Sequence, residues 1–207
     1  MKTRTKRIFL TLGLLALLGI LYAAFVPLPF DELPPQEKWG AGASSVLPAY
    51  SGLQREFPSL NGETSPEKTE LGQLLFFDPI LSKNRDMSCA TCHNPSLGFS
   101  DWLQTAQGSD GTPLPRNTLS LWNVGYQTNL FWDGRASTLE EQMTLPLHAP
   151  NEMAGSDQET LTRLKAIPAY VDLFDKAFGG GVDSVTMDNM QSAIASFERT
   201  LVSTNSP

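Results

Sequence analysis

Ser88-Cys89-Ala90-Thr91-Cys92-His93-Asn94-Pro95 decides how the rest of this 207-residue chain is read. It holds both cysteines of the chain, three positions apart, with a histidine directly after the second. A disulfide between them would close a tiny loop and restrict the unfolded chain very little. A zinc site needs four ligands, yet beyond this stretch the chain has one further histidine, His148, and no further cysteine. A thioredoxin-like redox pair shares the Cys-x-x-Cys spacing but sits in a βαβ context, and no such pattern surrounds it. The spacing fits attachment of one covalent c-type haem. Two thiols one helical turn apart can each form a thioether to a haem vinyl group, and the adjacent imidazole then points at the iron from the same side. Cys89 and Cys92 are expected to hold the haem and His93 to ligate its iron. On the opposite face, His148, Met87, Met143, Met153, Met187 and Met190 are the available second ligands. A ligand there makes an electron carrier, and an open face admits small molecules such as peroxide.

Outward from this stretch, the segment from Leu81 to Trp132 has no sustained periodicity. So long a loop is unusual in a compact domain, unless a bound cofactor replaces part of the core. Helical patterns flank it. Ser65-Pro66-Glu67 supplies an N-cap and a proline at the first helical position. Leu71, Leu74, Leu75 and Phe77 give that helix an apolar face, and Asp78-Pro79 stops it. Ser137 with Glu140, and Ser156 with Glu159, match capping boxes. The second leads into Leu161, Leu164 and Ile167. Pro168 opens a helix that Gly179-Gly180-Gly181 closes. Met187, Met190, Ile194, Phe197 and Leu201 recur at helical spacing. There are no internal repeats. The expected domain, residues 66–207, is mostly α with long loops.

The N-terminus reads differently. Lys2, Arg4, Lys6 and Arg7 precede an uncharged run from Ile8 to Val26, long enough to cross a hydrocarbon core of about 30 Å as a helix. The basic head keeps the N-terminus in the cytoplasm. The run exceeds an ordinary signal h-region and ends in a poor cleavage site, Tyr22-Ala23-Ala24-Phe25, so residues 1–26 are expected to stay as a membrane anchor in preference to a cleaved signal. The rest then lies on the periplasmic side of a bacterial inner membrane, soluble there if the segment is cleaved. Residues 27–65, rich in Pro, Gly and Ser, read as a tether and irregular segment. Without the four basic residues of the head, 22 acidic side chains face 11 basic ones. Nucleic acid is an improbable partner for such a surface.

Several further stretches give the chain a family resemblance from about residue 69 onward. They are Leu71-Gly72-Gln73-Leu74-Leu75-Phe76-Phe77-Asp78-Pro79, the haem stretch itself, Gly98-Phe99-Ser100-Asp101, Arg116-Asn117-Thr118, Phe131-Trp132-Asp133-Gly134-Arg135, Leu139-Glu140-Glu141-Gln142, Asn151-Glu152-Met153 and Ala195-Ser196-Phe197-Glu198-Arg199-Thr200-Leu201. In these the chain resembles the bacterial di-haem cytochrome c peroxidases, which include MauG-like enzymes. The resemblance implies a class I cytochrome c-like domain carrying the N-terminal, peroxidatic haem, with His93 as proximal ligand. It implies that Glu152 moves a proton between the two peroxide oxygens, general acid–base work for a carboxylate held beside the substrate. By the same token Gln142, ten residues earlier, orients peroxide and water, Trp132 conducts electrons between two haems, and Asn117 ligates a calcium ion. Without the family, Trp132 reads as core, Gln142 and Glu152 as helix-surface polars and Asn117 as a turn residue.

Two departures from the pattern matter. Some members carry a capping histidine sixteen residues after the proximal one, and Ser109 stands there. A hydroxyl is a poor iron ligand, so an iron open to peroxide is expected. The family pattern also continues into a second haem domain, which is expected to be absent from this chain. The leading expectation is a haem peroxidase reducing hydrogen peroxide with electrons from a small c-type cytochrome or cupredoxin. The alternatives are a MauG-like enzyme oxidising a protein substrate and a membrane-anchored electron carrier without catalysis.

Overall fold

In the fold, the Cys-x-x-Cys-His stretch packs beside the first helix of the domain. The structure, a computed structural model, describes residue 60 and residues 62–203. The expected anchor at 1–26 and nearly all of the 27–65 tether lie outside the described residues, and no helix within them is long and apolar enough to cross a membrane. Six α-helices occur among the described residues: α1 Pro66–Phe77, α2 Cys89–Cys92, α3 Leu139–His148, α4 Asp157–Lys165, α5 Pro168–Phe178 and α6 Met187–Glu198. Extended pairing is limited to three isolated bridges, Asn94 with Ser100, Gln107 with Pro113 and Leu130 with Ala136. Each closes a loop, so the domain is mostly α, as expected.

α1 begins as the sequence predicts, with the Ser65 hydroxyl accepting the Lys68 N–H at 3.2 Å and Pro66 at the first turn. Its buried face differs from the expected one. Leu71, Gly72, Leu75 and Phe76 are buried, whereas Leu74 and Phe77 are 46% and 41% exposed. Gly72 explains the rotation. A Cβ there would stand 1.8 Å from the Ala193 carbonyl oxygen, so the face carrying the glycine is the one that can meet the α6 backbone. α6 contributes Met190, Ala193, Ile194, Ala195 and Phe197 to the core. Thr69 and Ser196 hydrogen-bond across the crossing at 3.0 Å.

The other caps differ in detail. α3 is capped by Thr138, whose hydroxyl accepts the Glu141 N–H at 3.1 Å, not by Ser137. Ser137 lies one residue outside and donates both its N–H and its hydroxyl to the Glu141 carboxylate. The box is thus displaced by one position, with Glu141 rather than Glu140 as the acidic member, which frees Glu140 to bind Arg199. Ser156 is the N-cap of α4 but makes no side-chain cap hydrogen bond. Glu159 pairs forward with Arg163 at 3.1 Å instead. That guanidinium in turn donates to the Ile80, Ser82 and Lys83 carbonyls, tying α4 to the chain ahead of the haem stretch. α5 starts at Pro168 and stops at Gly179, φ +73°, as read.

Candidate haem site

The one-turn helix α2 is held by the backbone of its own loop. Thr91 N–H reaches the Ser88 carbonyl, His93 N–H reaches the Cys89 carbonyl, and the Thr91 hydroxyl accepts the Ser88 N–H at 3.0 Å. Both thiols are free and half-buried. Burial, and then the nearby Glu198 carboxyl, pushes the Cys89 thiol up to about 12. Burial raises Cys92 as well, with Asp101 and Glu152 adding to it. A redox-pair nucleophile or a zinc ligand needs the thiolate, and these sites favour the thiol. Among the described residues no three His, Cys, Asp or Glu side chains group to hold a metal ion.

His93 is oriented by the short loop that follows it. Phe99 N–H bonds the Asn94 carbonyl and Asn94 N–H bonds the Ser100 carbonyl. Phe99 adopts φ +56°, a conformation costly for a bulky side chain, and packs edge-on against Trp122 and Phe76. In this tight turn the Phe99 carbonyl oxygen lies 2.9 Å from His93 Nδ1. A carbonyl only accepts, so Nδ1 carries the proton and Nε2 keeps its lone pair. That is the arrangement in which an imidazole ligates iron while its other nitrogen is fixed. Burial lowers the imidazole pKa and favours the neutral form, against the Phe99 carbonyl, Asp101 and the Leu119 carbonyl.

A second group of residues gathers around Glu152. A cavity of about 440 Å³ is lined by Phe131, Arg135, Leu145, Pro146, His148, Ala149 and Glu152. Burial raises the Glu152 carboxyl and the Arg135 charge opposes it. A neighbouring cavity of about 330 Å³ is lined in part by Met87, Cys92, Asp101, Gln107 and Ser109. The two loops behind these cavities touch. Ser109 N–H donates to the Asn151 carbonyl at 3.0 Å, and a Cβ on Gly108 would meet that oxygen at 2.6 Å. Ser109 is therefore fastened beside Glu152 and on the same cavity as Cys92.

The second-ligand candidates mostly fall away. His148 Nδ1 faces the Thr144 carbonyl at 2.8 Å and Nε2 faces Asp157 at 2.5 Å, so both nitrogens are engaged. Met143, Met153 and Met190 lie in the core and Met187 packs against it. Met87 is buried at the rim of the smaller cavity. Trp132 is not core: it is 55% exposed, and its indole N–H donates to the Asn117 carbonyl at 3.0 Å. The two residues given separate roles by the resemblance are thus one joined pair, with Asn117 exposed. Gln142 is half-buried on α3 and does not line the Glu152 cavity. Pro146 in that helix has no N–H to offer the Gln142 carbonyl four residues back. Arg135 is the residue the sequence reading passed over. Its only signal was its place in Phe-Trp-Asp-Gly-Arg.

A covalent haem fits these residues. The loops following α2 leave Trp102 78% exposed, and Trp122, Leu103 and Leu119 also face outward. This much apolar surface around one segment marks a binding site. It lies beside two free thiols one turn apart and an imidazole with one nitrogen already fixed.

Comparison with known proteins gives the family. The family model described as di-haem cytochrome c peroxidase matches residues 66–207. The methylamine utilization protein MauG of Methylorubrum extorquens is 48% identical over 143 residues, covering 69% of this chain and 40% of the relative. The cytochrome c551 peroxidase of Pseudomonas aeruginosa is 39% identical over 159 residues, 76% of this chain and 46% of the relative. The crystal structure of a MauG-like protein associated with microbial copper homeostasis superposes with a TM-score of 0.68 at 32% identity, over 73% of this chain and 46% of that one. The chain thus spans less than half the length of these relatives. On the match across 66–207, the chain belongs to the di-haem cytochrome c peroxidase family.

Proposed function

We propose that residues 66–207 form the peroxidatic haem domain of a cytochrome c peroxidase, reducing hydrogen peroxide with electrons from a small c-type cytochrome or cupredoxin by way of a second haem domain. The observation that carries this is the His93–Phe99 hydrogen bond, which leaves Nε2 for iron. When bound, the haem supplies a redox-active iron at which peroxide is reduced. The chain's own part is to hold the group and to handle protons. Cys89 and Cys92 hold it covalently, and His93 presents a neutral imidazole. Glu152 has a carboxyl raised by burial, suited to taking a proton from one peroxide oxygen and returning it to the other. Ser109, on the cavity that Cys92 also lines, would offer only a hydroxyl, a poor iron ligand. The resemblance gives Gln142 on α3 the task of orienting peroxide, although it stands outside the lining of the Glu152 cavity, and puts the Trp132–Asn117 pair on the electron path, with Asn117 beside a calcium ion. The domain works on the periplasmic side of the membrane, tethered by residues 8–26.

The exported domain, matured with haem, tests this by its optical spectrum before and after one equivalent of hydrogen peroxide. A high-spin ferric spectrum that changes rapidly, and more slowly in Glu152→Gln, is the expected result. A low-spin spectrum indifferent to peroxide would overturn it and leave an electron carrier. A second reading, oxidation of a protein substrate, is favoured by Ser109 and by the 48% identity to a methylamine utilization protein. A substrate protein modified only in the presence of the haem-loaded domain and peroxide would establish it.

A further inference from the structure

We propose that Arg135 is a positioning residue for Glu152: a guanidinium fixed in the wall of the shared cavity that keeps the carboxyl ready to exchange its proton. This deepens the peroxidase reading and rests on it. Three observations carry it. The loop bearing Arg135 is anchored at its base, where Leu130 N–H bonds the Ala136 carbonyl and both residues are buried. Gly134, at φ +70°, turns the chain back within it. The guanidinium is then clamped twice. Its Cζ lies 3.6 Å from the centre of the Phe131 ring, and Nη1 donates to both Asp133 oxygens at 2.8 and 3.0 Å. Finally, Arg135, Phe131 and Glu152 line one cavity, and no ion pair joins Arg135 to Glu152 among the described residues.

That geometry has a chemical consequence. A carboxylate in direct contact with arginine is locked in its charged form, and one buried without a cation stays protonated. A cation across a small cavity lies between these limits. The other charged groups around Glu152 do not supply the same effect. His148 shares the cavity wall and is paired with Asp157, but Arg135 is the charge that opposes the burial of Glu152. Cys92, which feels Glu152 from the neighbouring cavity, is neutral as a thiol and as a thioether. Asp133 pairs with both Arg116 at 3.3 Å and Arg135 at 2.8 Å. As a stabilising contact, an exposed Arg135–Asp133 pair is worth little, so a merely structural role predicts no change in how Glu152 titrates.

The test uses the haem-loaded protein and two readouts. One is the Glu152 carboxyl band in infrared difference spectra across pH, assigned by its loss in Glu152→Gln. The other is the pH profile of the peroxide reaction. In Arg135→Gln both midpoints should move to higher pH together, by about one unit, a tenfold loss of rate on the acid side. Arg135→Lys should restore most of the shift. Asp133→Asn, which removes the anion facing the guanidinium, should move both midpoints the other way and keeps the test open if Arg135→Gln does not fold. Midpoints that stay in place in a folded, haem-loaded Arg135→Gln, or an upward move in Asp133→Asn, would overturn the proposal. A Glu152 band that shifts as expected while Glu152→Gln reacts normally with peroxide would instead overturn the peroxidase reading.

Discussion

The crossing of α1 and α6 and the loop belt around His93 are built on opposite terms. At the crossing, Leu71, Leu75, Phe76, Met190, Ala193 and Ala195 are wholly buried, and Gly72 lets two backbones meet. In the belt, Phe99, Trp102, Asn123 and Phe131 take left-handed backbone conformations, and large apolar side chains face outward. Side chains of the chain itself complete the first. The second leaves apolar surface and strained turns of the kind that gather at binding sites. The two are stitched at one end, where Asn123 N–H bonds the Leu201 carbonyl at 2.7 Å and Gly125 lies against Arg199. A stable frame can thus hold an incomplete belt in the shape the haem requires.

Substitutions can break or sharpen this contrast. Gly72→Ala should have the largest effect, because its Cβ would enter the Ala193 carbonyl. A loss of about 3 kcal/mol or more in chemical denaturation is expected, and near-native stability would show the crossing to be looser. Arg199→Ala follows. Arg199 is 3% exposed and donates to both oxygens of the half-exposed Glu140, and losing that bond together with the packing of the buried stem is expected to cost about 2 kcal/mol. Because Arg199 sits at the stitch, amide hydrogen exchange should speed up at 121–127 before it does in α1.

Glu198 gives a pH-dependent effect. Burial, with Glu140 adding to it and Arg199 opposing, pushes its carboxyl up to about 8. The folded protein therefore keeps a proton that the unfolded chain releases above the ordinary carboxylate range. Stability is unaffected below that range, falls as pH rises through the window up to about 8, and levels off beyond it. Glu198→Gln should flatten the fall and gain roughly 2 kcal/mol on the alkaline side. Melting curves taken across pH would check it, and parallel curves for the two proteins would refute it. Trp102→Ala, at a side chain 78% exposed, should be the mildest. It is expected to change stability by less than about 0.5 kcal/mol in protein without haem and by more once haem is attached. An equal effect in both forms would show that Trp102 does not cover the group.

Local chemistry was legible in residue order. The Cys-x-x-Cys-His spacing pointed to a c-type haem because thioether and iron bonds need those atoms one helical turn apart, and the family match agrees with that cofactor. Ser65-Pro66 and Pro168 marked helix starts because capping and proline geometry act within a few residues. The apolar face of α1 was misread because periodicity weighs leucine over glycine, and Gly72 matters only through the α6 backbone facing it. The α3 cap slipped by one position for a similar reason, since Glu140 is engaged by Arg199 from 59 residues away. The sequence alone thus determined the mostly helical class and the family pattern, and it singled out Cys89, Cys92 and His93 as the proposed haem-binding residues, all of which depend on neighbours along the chain. Tertiary structure decided the rest: which carbonyl fixes the His93 proton, that His148 is occupied, that Trp132 leans on Asn117 and that Arg135 shares a cavity with Glu152. Those depend on distances between loops, and only the packed helices beneath them set such distances.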